Sequence, residues 1–366
     1  MKVSKLHSIA STAVSRRRII KGLAALGAVG TADLATFAEA LARATSDEAA
    51  QLAILIQGGP VAETINNIAN PEFKRQFPNV SINLEVSANA AAYPKMLAQR
   101  NNPAIGGGMF NDLFSARGSI DKMWAPINPE FMPNARRVPR ELLVPGGEGV
   151  TFQQTPFGIM YNPDKVEPPT SWTDLWNPKY EGRVSMWDAY FDAYAMAAVA
   201  VGKPPSVEGG IKAWEPHRKN IGVWSTSPIS EEDLVHRGEV WLAPHWGAWC
   251  EQARLQGKRV AFVFPKEGAT LWSNQLQSCV GFSPKITELV QRYLNVWLSD
   301  ECQKAWLKNA LISPAIGSLV IPPDLQSNPA VISAADAGKR LIRLDAKQVA
   351  LKFAATRSLI ERTLKS

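Results

Sequence analysis

The residues best suited to chemistry in this chain are tryptophans and a few carboxylates. There are 366 residues and 12 tryptophans, most of them packed between Trp172 and Trp272. Trp246 and Trp272 stand apart, because HWGAW and LWSN each follow a strand-like apolar run. Indole faces at strand ends attract amines by cation–π contact or stack on sugars and planar groups. Asp188 and Asp192 could suggest acid–base work, and Asn274 stands just beyond Trp272. Trp176, Trp214, Trp297 and Trp306 read as core packing.

Signatures of catalysis are missing. There is no Gly-x-Ser-x-Gly elbow, P-loop, Cys-x-x-Cys or His-Glu-x-x-His. His217, His236 and His245 lack metal-ligand spacing, and no metal or cofactor is expected. As acid–base pairs, Asp188/Asp192 and Glu231/Glu232 are explained more simply as solvated helix faces. Three cysteines, Cys250, Cys279 and Cys302, cannot make a closed disulfide framework. They leave either one bridge or buried thiols open.

The elements that must position these residues alternate. QLAILIQ and SINLEV read as strands, with helices over ETINNIANPEFKRQF and AAYPKMLAQR, and NDLFSA reads as a third strand. Such alternation implies a parallel sheet covered by helices, with ligands bound beyond the carboxyl ends of its strands. Gly58, Gly59, Arg117, Gly118 and Ser119 fall at such ends. A Pro- and Gly-rich stretch from Pro126 to PGGEG separates a second alternating unit that begins at FGIMYN. Ser171 and Asp174 form a variant capping box there. PKEGATLWSN is the expected crossing back between the units, and a helix over KQVALKFAATRSLIERTL ends the chain.

The first 45 residues read as an address rather than as fold. Basic SRRRIIKG, apolar GLAALGAVGTA and small-residue AEALARA have the order of a secretory signal, cleaved after Ala42 or Ala44. Arg16 and Arg17 match the twin-arginine pattern, which the translocase reads. Export to the periplasm is therefore expected. Residues 1 to 45 hold seven Lys or Arg and two Asp or Glu, so the remainder has 33 basic and 31 acidic residues and a formal charge of +2. The pI near 9.3 mostly reflects that segment and does not argue for nucleic acid binding.

PPTSWTDLWNPKYEGRVSMWD and WGAWCEQARLQGKRVAFVFPKEGATLWSN resemble bacterial extracellular solute-binding proteins of the spermidine/putrescine type, which serve ABC importers. The resemblance runs in order along nearly the whole chain after the signal. It implies an α/β, two-lobe periplasmic-binding-protein fold of type II, each lobe a mixed sheet flanked by helices, with a hinge between. Residues 1–44 would be the signal, 45–155 with 272–366 one lobe, and 156–271 the other. It implies a monomer that takes a small-molecule solute to ABC permease subunits, with no nucleic acid partner and no catalysis. Carried over by position, Trp246 and Trp272 match pocket tryptophans, and Asp188 matches an amine-binding carboxylate. Phe191 replaces the family's second acid, with Asp192 one step on, and Asn274 replaces an aspartate. Arg117 and Ser119 stand where the first lobe meets the amine, with Gly59 nearby. A site short of one carboxylate and carrying Arg117 suits a zwitterionic amine, such as an opine or aminophosphonate, better than a long polycation. The alternative from another class is an exported hydrolase with a Trp-lined acidic cleft.

Overall fold

The structure is a computed structural model that describes residues 50–189 and 191–366. The twin-arginine segment lies outside the described residues.

The first alternation forms as its pattern requires. β1 (Ala50–Ile56) buries its apolar residues. Gly59 follows in a left-handed conformation, φ 70°, that favours glycine, and Pro60 opens α1 (Pro60–Thr64). A π turn joins α1 to α2 (Asn70–Gln76). β2 (Val80–Val86) pairs parallel with β1, Ala50 opposite Val80. After α3 (Asn89–Ala98), β3 (Gly107–Asn111) pairs parallel on the other edge of β1.

NDLFSA is not a strand. β3 is GGMFN, and α4 (Asp112–Ile120) begins where it ends. The Asn111 side chain accepts from the Phe114 N–H at 3.1 Å, satisfying one of the helix's free amide donors. That cap places Asp112 in the first turn of α4, at the carboxyl end of β3.

After the short β4 (Trp124–Ala125) the chain runs through β5 (Val150–Tyr161), twelve residues buried throughout. Ser171 and Asp174 make the expected capping box. The second alternation comprises β6 (Val184–Met186), α5 (Phe191–Ala200), α6 (Val207–Trp214), β7 (Ile221–Trp224), α7 (Pro228–Arg237), β8 (Leu242–Trp246), α8 (Gly247–Leu255) and β9 (Ala261–Val263). The chain returns through β10 (Ala269–Cys279), eleven residues all buried. It continues as α9 (Pro284–Trp297) and α10 (Asp300–Ala310), with Ser299 capping the break between them. β11 (Ser313–Pro314), α11 (Ala334–Arg340), β12 (Leu341–Ile342) and α12 (Ala346–Leu364) complete it.

The main sheet order is β2-β1-β3-β10-β5-β8-β6-β7. β10 runs antiparallel to both β3 and β5, with Trp272 opposite Thr155 and a register slip between Asn274 and Gln275. β5 and β10 therefore tie the two alternations together. One core packs Phe152, Trp297 and Trp306 over β1 and β3. Another gathers Phe157, Trp172, Tyr194 and Trp214. Trp176, Trp214, Trp297 and Trp306 are all buried, as expected. Ile360 and Leu364 of α12 pack into the second core, although residues 272–366 were expected with the first. All three cysteines are buried free thiols.

Candidate functional site

A cleft of about 1630 Å³ opens where the carboxyl ends of β1 and β3 face β8, α5 and α12. The local chain explains how its aromatic wall is built. Trp246 ends β8 and caps α8, and Trp249 sits in the first turn of that helix. The Ala248 N–H donates to Thr155 Oγ1 at 3.0 Å, pinning this turn to β5. A side chain at Gly247 would collide with Ala330, so the turn seats closely there. Trp272 arrives on β10. The ring centroids of Trp246 and Trp272 are 5.2 Å apart, Trp246 and Trp249 5.4 Å, and Trp249 and Trp272 4.9 Å with planes at 85°. All three line the cleft.

Among the expected site residues, Gly59, Ser119, Asp192, Trp246 and Trp272 line this cleft. Ser119 donates to Glu148 across the α4 face. Asp192 sits in the first turn of α5. Burial pushes its carboxyl up to about 6; the Thr270 hydroxyl opposes this and the charge of Asp112 adds to it.

Asp188, Arg117 and Asn274 do not line it. Asp188 bonds Arg357 at 2.9 Å and Lys365 at 3.0 Å, both on the C-terminal segment. Burial alone would raise its pKa, but those two cations hold it below the ordinary carboxylate value. Its counter-charges come from within the chain. The Arg117 guanidinium lies over the Tyr93 ring, 5.5 Å from the centroid. Asn274 is fully buried and donates to Gln153 Oε1 at 3.2 Å. Side chains alternate along β10, so Ser273 and Gln275 face α4 while Asn274 faces away.

Several cleft residues went unread in the sequence. Trp249 had a signal, one helical turn beyond Trp246 in HWGAW. Asp112 is set by the Asn111 cap. Its Oδ2 accepts from the Ser273 N–H at 2.9 Å, and its Oδ1 from Ser273 Oγ at 2.8 Å and Gln275 Nε2 at 2.6 Å. Burial raises the Asp112 pKa, with the Arg343 guanidinium and these donors opposing. Arg343, Lys347 and Phe353 also line the cleft. No local pattern could have announced them, because the pairing of β12 with β10 places Arg343, and the packing of α12 against α4 and α6 places Lys347 and Phe353.

The expected solvated face at Glu231 and Glu232 is also corrected. Glu231 is buried and accepts from the Ser185 and Ser225 hydroxyls, and Glu232 pairs with Lys258 at 2.9 Å. His245 is buried on β8, where burial lowers its pKa to about 4. Among the described residues, no group of His, Cys, Asp and Glu could hold a metal ion, and no helix is long and apolar enough to cross a membrane.

Comparison with known proteins agrees with this architecture. The profile of a bacterial extracellular solute-binding protein family matches residues 104–349. The spermidine/putrescine-binding periplasmic protein 1 of Haemophilus influenzae is 26% identical over 187 residues, 49% of this chain and 51% of that protein. The chain thus spans about half the length of that curated relative. An ABC transporter substrate-binding protein from Bradyrhizobium japonicum superposes with a TM-score of 0.72 at 19% identity, over 85% of this chain and 99% of that one. The periplasmic binding protein MotA from A. tumefaciens B6, in complex with glucopine, gives 0.70 at 17% identity over 86% and 99%. At such identities the likeness establishes the fold, a two-lobe α/β binding protein with mixed sheets and a hinge.

Proposed function

This chain belongs to the bacterial extracellular solute-binding protein family, and from that premise we propose that it captures an amine-containing solute in the periplasm for ABC permease subunits. The observation that carries this reading is the cleft itself: three mutually touching tryptophans and the Asp192 carboxylate lining one space. Indole faces favour an alkylammonium, and a carboxylate gives it a counter-charge. We assign the lobes as residues 45–155 with 272–345, and 156–271, with α12 against both. Closure about β5 and β10 would bring the walls onto the solute. The chain would act as a monomer, exported by the twin-arginine translocase, and would bind without turnover.

Within this class we favour a zwitterionic amine, such as an opine or aminophosphonate, over a long polyamine. Asp188 is already neutralised by Arg357 and Lys365, and Asn274 is buried away from the cleft. Arg343 and Lys347 supply positive charge to the same space as the Asp192 carboxylate. An acidic group on the ligand suits those two cations.

The test is a tryptophan-fluorescence titration with spermidine, putrescine, an opine and 2-aminoethylphosphonate at fixed pH and salt. Binding of a zwitterion well ahead of spermidine is expected. Tight spermidine binding with zwitterions ignored would restore the plain polyamine reading. Turnover of a chromogenic glycoside or ester, with no fluorescence change from any amine, would favour a hydrolase.

A further inference from the structure

We propose that Asp112 and Gln275 form a half-site for a primary ammonium on the floor of the cleft, acting with Asp192. This rests on the solute-binding reading above and names residues that the family resemblance did not supply.

The hydrogen bonds fix the half-site before any ligand arrives. Gln275 is buried, and its Nε2 has two N–H groups. One donates to Asp112 Oδ1 at 2.6 Å and the other to Ser273 Oγ at 2.9 Å. With both donors committed, the amide cannot rotate to hide its carbonyl. Gln275 Oε1 is left buried with no hydrogen-bond partner among the described residues, on a side chain that lines the cleft. A buried carbonyl without a donor is costly, and its orientation states what it lacks. Among the described residues Asp112 Oδ2 accepts only from the Ser273 N–H, so it retains accepting capacity.

Charge decides which donor belongs there. Asp112 and Asp192 line the same cleft, and each favours a positive neighbour. The other charged cleft groups are Arg343, Lys347 and Asp345 on the C-terminal segment, Glu141 and Glu148 before β5, and Glu232 with Lys258. Glu232 is held by Lys258, and Glu148 accepts from Ser119. Arg343 donates to the Glu141 carbonyl and offsets Asp112 from a distance. A neutral donor would satisfy Gln275 Oε1 alone. A primary ammonium carries three N–H groups, enough for Gln275 Oε1, Asp112 Oδ2 and the Asp192 carboxylate together. A quaternary ammonium keeps the charge but has no N–H, so it could use only the tryptophan faces.

Methylammonium against tetramethylammonium separates these contributions. The readout is the 13C resonance of the Asp112 and Asp192 carboxyl carbons at pH 7.5. Methylammonium should move both with one common saturation curve, at least about tenfold tighter than tetramethylammonium, as expected for loss of a hydrogen bond to a charged group. Gln275→Leu should erase that preference. Gln275→Met, which keeps the side-chain length but removes the carbonyl, should erase it as well, so misfolding of one variant does not decide the matter. Carboxyl carbons unmoved by methylammonium, or moved equally by both ions, would overturn the half-site. Failure of the wider solute-binding reading looks different: no amine in the panel alters tryptophan fluorescence or the radius of gyration, whatever the carboxyl carbons do.

Discussion

Replacing Asp192 with asparagine should make the protein more stable at neutral pH and a poorer binder. The Asp192 carboxyl titrates at about 6 in the fold against an ordinary value of 3.8. Each unit corresponds to about 1.36 kcal/mol, so holding the ionised form in the cleft costs about 3 kcal/mol. Asp192 also lies in the first turn of α5, where a negative charge gains about 0.5 kcal/mol from the helix dipole. That gain is already contained in the folded value, so the expected benefit of Asp192→Asn is about 3 kcal/mol. The sign follows from the raised folded value. Below pH 3.8 the carboxyl is protonated in both states and the difference vanishes. Between 3.8 and about 6 the unfolded chain ionises first and wild-type stability falls; above 6 the deficit is constant. Urea unfolding of wild type and variant at pH 8, 6 and 4 should therefore show the full gap at pH 8 and almost none at pH 4. A variant no more stable than wild type at pH 8, or a gap independent of pH, would refute the reasoning. Weaker amine binding by the stabilised variant would complete the case that the strain serves the ligand.

Asn274→Asp, on the same logic, buries a new carboxylate beside Gln153. It should cost about 2 kcal/mol or more at pH 7, with the loss shrinking in urea melts at pH 4. Asp188→Asn should loosen α12 by about 1 kcal/mol, read as faster amide hydrogen exchange over Ala346–Leu364, with amine affinity unchanged. Because Asp188 is held below its ordinary value, its contribution is present above pH 3.8 and fades as pH falls through the lower folded value. Small-angle scattering should give a smaller radius of gyration with saturating solute, and an unchanged profile would count against hinge closure. Replacing Arg16 and Arg17 together by Lys should retain the precursor in the cytoplasm; normal periplasmic levels on fractionation would dismiss the twin-arginine assignment.

The architecture was legible because it rests on local signals. Apolar runs, the Ser171 box and the final helix all declare themselves within a few residues. NDLFSA misled because Leu113 and Phe114 fit a buried strand as readily as a helix, and only the Asn111 cap decides. The site was half legible. Trp246 and Asp192 lie at element ends, where position along the chain implies position in the cleft, whereas Trp272 sits inside β10 and was found through the PKEGATLWSN crossing. Asp188 was misplaced because its partners lie at the far end of the chain, beyond any local reading. Asn274 was misplaced by counting two residues from Trp272; further along β10 that face is buried against Gln153 of β5 rather than open to the cleft. Arg117 offered the right charge, but Tyr93 holds it elsewhere.

The place of β10 in the sheet has a further consequence, for the growing chain. β10 fills the gap between β3 and β5, and its Ser273 reaches Asp112 across 161 residues of sequence. Until synthesis passes Cys279, the edges of β3 and β5 that β10 covers are left with unpaired amides. Contacts of such range form slowly, and open edges recruit other chains. The nascent protein should therefore spend its most aggregation-prone interval with more than two thirds of its length already made, when a holdase has most to protect. A premature stop just before Ala269 should yield inclusion bodies, whereas a stop after Cys279 should leave a more soluble product.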